Sequence, residues 1–270
     1  MWTTQRVFKT APDGTAFALS GAVDRPVIAL IHGLGLCSGV FDGMLASLEA
    51  EYRVLRYDLY GHGQSAPLSG DASLAVYADQ LAGLMDHLGV TTAHVVGFSI
   101  GGMINRRFAL DHPEKVASLV ILNSPHDRGE DGQAAVEERA KSVRDQGAFS
   151  TFDAALKRWF TPACLDSDHV APGLVREWRG LVDGESYAQA AWVLAHGVRE
   201  LIAPKPPVSA RSFVMTCEND SGSTPAMSHA IAAEIAGAEV QIVPHLQHLG
   251  MMESPELFSR PILEFLKKGE

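Results

Sequence analysis

Short apolar runs alternate with longer stretches of helical periodicity along most of this chain, and that rhythm narrows its fold more than any other feature. "PVIALI" (26–31), "YRVLRYD" (52–58), "AHVVGF" (93–98), "VASLVILN" (116–123), "RSFVMTC" (211–217) and "AEVQIV" (238–243) each read as a strand. Runs so continuously apolar suit strands buried on both faces, which predicts a mostly parallel sheet wrapped by helices. "RVFKT" and "AFALSG" flank "APDG" and read as an opening hairpin. In "SLAVYADQLAGLMDHLG", Leu74, Ala78, Leu81, Met85 and Leu88 share one helical face, with Ser73 as N-cap and Gly89 as stop. Further helices are expected near 100–112, 225–236 and 255–267, the last with a kink at Pro261.

The rhythm breaks after Asn123. From Pro125 to Pro207 no buried strand is legible, and "GQAAVEERAKSVRD", "TFDAALKRWF" and "YAQAAWVLAHGVREL" read as helices before the stiff "APKPP" segment. The expected organisation is a split α/β core, 1–124 and 208–270, around a helical insertion at 125–207. With 270 residues and a net charge of −10, the chain can bury a sizeable core and is a poor match for nucleic acid or an anionic membrane. Met1–Thr10 lacks the basic start and apolar core of an export signal, so a soluble, cytoplasmic protein is expected. Cys37, Cys164 and Cys217 lack ligand spacing and read as small buried hydrophobes, with no metal site. "GLG" (33–35) lacks the remainder of a dinucleotide fingerprint, and no cofactor is expected.

"GFSIGG" (97–102) holds a serine between glycines where a strand meets a helix. A sharp turn there would lift the Ser99 hydroxyl above the carboxyl edge of the sheet, at a helix N-terminus that favours negative charge. A serine hydroxyl needs a base, and the base needs an acid to orient it. Eleven histidines are present. His87, His94, His112 and His229 read as solvated or capping residues, and His62 in "GHGQS" as part of a turn. His245 and His248 lie just past the final strand, and Glu218 and Asp220 follow the strand before it. The order Ser99, Asp220, His248 is the one a nucleophile elbow on such a sheet requires. An acid after the sixth strand, near Asn123 and Asp127, is the lesser alternative.

These segments together resemble the α/β-hydrolase family over almost the whole chain. "HGLG" (32–35) is similar to its oxyanion loop, "DLYGHGQS" (58–65) to its Asp-x-x-Gly-His-Gly-x-Ser turn, and "HPEKVASLVILN" (112–123) to the sequel of its elbow. "HLGMMESPELF" (248–258) resembles its histidine segment, with Glu253, Pro255 and Glu256 at the family's offsets, which selects His248; "ENDSGSTP" similarly selects Asp220. Gln247 and Cys217 stand where glycine is frequent. The resemblance implies an eight-stranded, mostly parallel sheet with an inserted helical cap. It also implies a serine hydrolase of a small carboxylic ester or lactone, with Leu34 and Ile100 as backbone oxyanion donors. "KRWFTP" (157–162) is similar to the cap of 3-oxoadipate enol-lactonases, although Tyr60 stands where those enzymes usually carry arginine.

The cap holds Trp159, Trp178 and Trp192, which with Tyr60 are the expected substrate contacts in an apolar or mixed pocket. Its acid-rich start, "DRGEDG", reads as a solvated face. Two other functions use the same scaffold: hydrolysis of a C–C bond in a vinylogous diketone, and ligand reception without catalysis.

Overall fold

Alternate side chains of each central strand enter two different cores, the direct result of the two-residue pleat. In the computed structural model, which describes residues 8–269, Ala29, Ile31, Val95, Leu119, Ile121 and Val214 face one layer of helices, while Ile28, Leu30, Val96, Val120, Leu122 and Met215 face the other. The strands are β1 (Lys9–Thr10), β2 (Ala16–Ser20), β3 (Val27–Ile31), β4 (Arg53–Tyr57), β5 (Ala93–Phe98), β6 (Val116–Leu122), β7 (Ser212–Cys217) and β8 (Glu239–Val243). They form one eight-stranded sheet in the order β1-β2-β4-β3-β5-β6-β7-β8. Only the β1/β2 and β2/β4 pairs are antiparallel. Of the expected first strand, Lys9–Thr10 pairs with β2, while residues 6 and 7 lie outside the described residues, as does most of the N-terminal segment read for a leader.

The helices are α1 (Leu45–Glu49), α2 (Leu74–Leu88), α3 (Ile100–Asp111), α4 (Gly129–Gln146), α5 (Phe152–Trp159), α6 (Pro162–Leu165), α7 (Ala171–Gly180), α8 (Gly184–His196), α9 (Pro225–Ala233), α10 (Gly250–Glu253) and α11 (Glu256–Lys267). At the start of α2 the Ser73 hydroxyl accepts from the Val76 N–H, and Gly89 closes the helix in the left-handed region. The expected helix over 225–236 stops at Ala233. Its last turn tightens into i→i+3 bonds from Glu234 and Ile235 to the carbonyls of Ile231 and Ala232. α11 continues through Pro261, which is buried. Between Leu122 and Ser212 there is no strand; α4–α8 and a 3-10 turn occupy that stretch. α4 packs on α8 through Val136, Ala140, Val143, Tyr187, Ala188 and Ala191. No helix among the described residues is long and apolar enough to cross a membrane.

Candidate active site

The turn from β5 to α3 is built for close approach. Ser99 sits at φ 58°, ψ −115°, a left-handed setting that its flanking glycines make possible. A Cβ on Gly97 would lie 2.1 Å from the Gly101 carbonyl oxygen, and one on Gly101 2.3 Å from the Ile31 carbonyl oxygen. Backbone cannot yield by that much without displacing β3. Gly101→Ala is therefore expected to cost about 3–5 kcal/mol, seen as a melting temperature lower by about 10 °C or more. A variant melting within about 2 °C of wild type would contradict the tight elbow.

Ser99 is 8% exposed and opens into a cavity of about 140 Å³ that Asp220 and His248 also line. The Asp220 carboxylate is surrounded by donors. Oδ1 accepts from the backbone N–H groups of Gly222 and Ser223, both at 2.9 Å. Oδ2 accepts from the Asn123 amide at 2.9 Å and from His248 Nδ1 at 2.6 Å. Burial alone would raise its pKa, but His248, Asn123 and the Ser223 N–H outweigh that and hold it below the usual carboxylate range. An ionised acceptor at 2.6 Å makes Nδ1 the protonated nitrogen of His248 and leaves Nε2 free to take a proton. The ring is fixed between Phe98, with centroids 5.0 Å apart, and Trp159, at 6.3 Å.

The competing candidates lie elsewhere. His245 is 90% exposed and approaches Glu218 at 3.5 Å, outside the cavity. Asn123, at the end of β6, holds a left-handed φ of 46° and turns its amide onto Asp220. The position weighed for an alternative acid thus carries a donor to Asp220 instead. His62 is buried, bonds the Tyr60 carbonyl through Nδ1, and is pulled down to about 3 by burial and the neighbouring His32. His32 ties two loops together: Nδ1 donates to the Gly33 carbonyl and Nε2 accepts from the Leu59 N–H. Burial lowers it to about 4, so both rings are neutral supports of the loop that carries Leu34. Leu34 lines the cavity, and Ile100 is the first residue of α3, where the N–H has no partner within the helix.

Of the four expected substrate contacts only Trp159 lines the cavity. Trp178 packs on the core, against Gly39, and Trp192 is 46% exposed and lies tilted against His196, with ring centroids 4.0 Å apart. The Tyr60 hydroxyl bonds Asp13 at the surface. Helical spacing shows which residues share a face, but not which face meets the sheet edge. Tyr187 lines the cavity as well, as do Arg128, Arg139, Arg158 and Arg179, which sequence reasoning missed. The acid-rich segment that leads into α4, read as a solvated face, supplies the first of these.

The histidine loop is sewn to the inserted helices. Leu249 N–H donates to the Trp159 carbonyl, and the Gln247 amide donates to the Lys157 carbonyl. The Glu253 carboxylate accepts from the Thr161 N–H at 3.0 Å and from its hydroxyl at 2.5 Å. Gln247, where glycine was anticipated, is thus a clamp. Cys217 lies under Gly250, outside the cavity, and burial pushes its thiol up to about 12. No group of His, Cys, Asp and Glu among the described residues is arranged to hold a metal ion.

A family model described as alpha/beta hydrolase fold matches residues 26–162. The chain is 27% identical over 256 residues to 3-oxoadipate enol-lactonase 2 of Acinetobacter baylyi, an alignment covering 93% of this chain and 92% of that one. Among solved structures, a hydrolase from Pseudomonas aeruginosa superposes with a TM-score of 0.85 at 29% identity, covering 96% of this chain and 97% of its own. The enol-lactonase from Burkholderia xenovorans does so with 0.86 at 25% identity, covering 97% and 100%.

Proposed function

The chain belongs to the α/β-hydrolase family, and on that premise we propose that it cleaves a small carboxylic ester or lactone through an acyl-enzyme on Ser99. The observation that carries this reading is the 2.6 Å contact between His248 Nδ1 and Asp220 Oδ2 in the same cavity as the strained Ser99. His248 Nε2 takes the Ser99 proton as Oγ attacks the carbonyl carbon. Asp220 keeps the ring in the required tautomer and stabilises the imidazolium. The oxyanion is received by the N–H groups of Leu34 and Ile100, the second at a helix N-terminus. His248 then gives its proton to the departing alkoxide, which in a lactone stays on the same molecule, and a water resolves the acyl-enzyme by the reverse route. Residues 125–207 act as a cap whose helices α4, α5 and α8 shape the pocket. The likeness to enol-lactonases supports the choice of bond.

A fluorophosphonate probe tests the reading. It is expected to label the protein at one site, mapped by peptide mass spectrometry to Ser99, and p-nitrophenyl esters or lactones should turn over in parallel. A folded protein that neither labels nor hydrolyses any of them would end the proposal.

A further inference from the structure

The chain carries ten more acidic than basic residues, yet the charged side chains that the inserted segment brings to the cavity are all cations. Arg128 precedes α4; Arg139 lies on α4, on the stripe that includes Val136, Ala140 and Val143; Arg158 lies on α5 beside Ala155 and Trp159. Arg179 comes from α7. None of the four has a carboxylate within salt-bridge distance among the described residues. Three of them bond carbonyls instead, Arg128 that of Leu194 at 3.0 Å, Arg158 that of Ala154 at 3.2 Å and Arg179 that of Ala148 at 2.9 Å, and Arg179 has the Tyr187 hydroxyl as a further neutral partner. Arg128 Nη1 and Arg179 Nε are buried with no hydrogen-bond partner. Arg179 is 1% exposed, lies 4.5 Å over the Tyr187 ring, and abuts the oxyanion loop so closely that a Cβ on Gly35 would lie 2.4 Å from its Nε.

Withdrawing a guanidinium from water is unfavourable by several kcal/mol unless an anion is supplied. Here like charges are also placed in sequence. Burial and then Arg139 pull Arg128 down to about 10, while Arg139, exposed on one side and desolvated where it faces the cavity, is lowered by that partial desolvation and then by Arg158. Two acids do not relieve this: Asp220, which also lines the cavity, is fully engaged by its own four donors, and Asp127 is exposed and acts on Arg128 only at a distance. A single monocarboxylate would neutralise one cation and leave the others facing it. The planar fork of arginine matches carboxylate geometry.

We propose that the cavity takes the ester or lactone of an acid bearing two or more further carboxylates, which Arg128, Arg139 and Arg158 hold while Arg179 braces the oxyanion loop. The inference rests on the hydrolase reading above for the bond that is cleaved, and on the arginines alone for the charge. A field from the net charge of −10 would repel such a substrate, so any preference for it has to be local.

The test compares p-nitrophenyl butyrate, mono-p-nitrophenyl succinate and mono-p-nitrophenyl tricarballylate, with zero, one and two free carboxylates. kcat/KM is expected to rise at least tenfold from butyrate to tricarballylate, and the gain to shrink in 0.5 M salt. In Arg139→Gln and Arg158→Gln the tricarballylate-to-butyrate ratio should fall about tenfold, with Arg158→Lys keeping part of it. Arg139 is exposed at the cavity mouth, so its replacement leaves the fold intact. Calorimetric titration of free tricarballylate, with inorganic phosphate alongside, reads the charge site without catalysis. Equal kcat/KM across the three esters, with no tricarballylate binding, would overturn the proposal and leave the hydrolase reading standing. Binding of phosphate but not tricarballylate would also overturn it. Tight tricarballylate binding by a protein that neither labels nor turns over would keep the anion site and discard the hydrolase.

Discussion

Ser99→Ala is expected to lower ester turnover by about 10⁶-fold while the protein stays folded. The substitution deletes one oxygen from a residue that is 8% exposed and leaves the Ser99 N–H bond to the Leu122 carbonyl in place. Alanine meets the same left-handed φ of 58° that serine does, so the backbone strain is unchanged to first order. Nothing in the packing therefore accounts for a loss of activity, and the loss reports the nucleophile. What survives should be the small acceleration from oxyanion donors and binding, and it should be insensitive to fluorophosphonate. Steady-state kinetics with a matching melting curve checks both halves. Turnover within tenfold of wild type would show that another group does the chemistry.

Asp220→Asn is expected to cost about 10⁴ in kcat with little change in fold. All four neighbours of the carboxylate are donors, so an amide cannot satisfy them all. The two backbone N–H groups on Oδ1 cannot rotate, so the amide oxygen stays with them and the NH₂ turns toward His248 and Asn123. Asn123 relieves its conflict by exchanging its own amide ends. His248 relieves its conflict only by making Nδ1 the acceptor, which places its proton on Nε2 and removes the base. The folded pKa of Asp220 is depressed, so the stability it contributes is present above the unfolded value near ~3.9 and is lost as pH falls through the folded one. Denaturant midpoints for wild type and variant should accordingly converge in acid. A variant retaining more than a tenth of wild-type kcat would remove Asp220 from the assigned role.

The central strands were legible because burial on both faces leaves an unbroken apolar run, as in β5 and β7, where every residue is buried. α2 was legible because Ser73 and Gly89 each have a local reason to sit at its ends. The juxtaposition of Asp220 with His248, rather than Glu218 with His245, could be anticipated only through motif offsets. What local sequence could not supply is partnership across distance. Asn123 meets Asp220 from 97 residues away. The four arginines come from three helices and a loop, and each alone reads as an ordinary surface cation. The same gap misdirected Trp178 and Trp192, whose helical faces turn toward other helices or solvent.

The bonds joining Lys157–Thr161 to Gln247–Glu253 bear on how such proteins could exchange parts. A set of inserted helices transplanted from a relative would meet a His248 loop whose anchors, Gln247 and Glu253, were matched to a different partner. The hybrid would lose the anchoring of its His248 loop before it gained a new specificity. The natural unit of recombination is therefore discontinuous: the inserted helices together with seven residues, 247–253, encoded nearly a hundred positions downstream of the contact they serve.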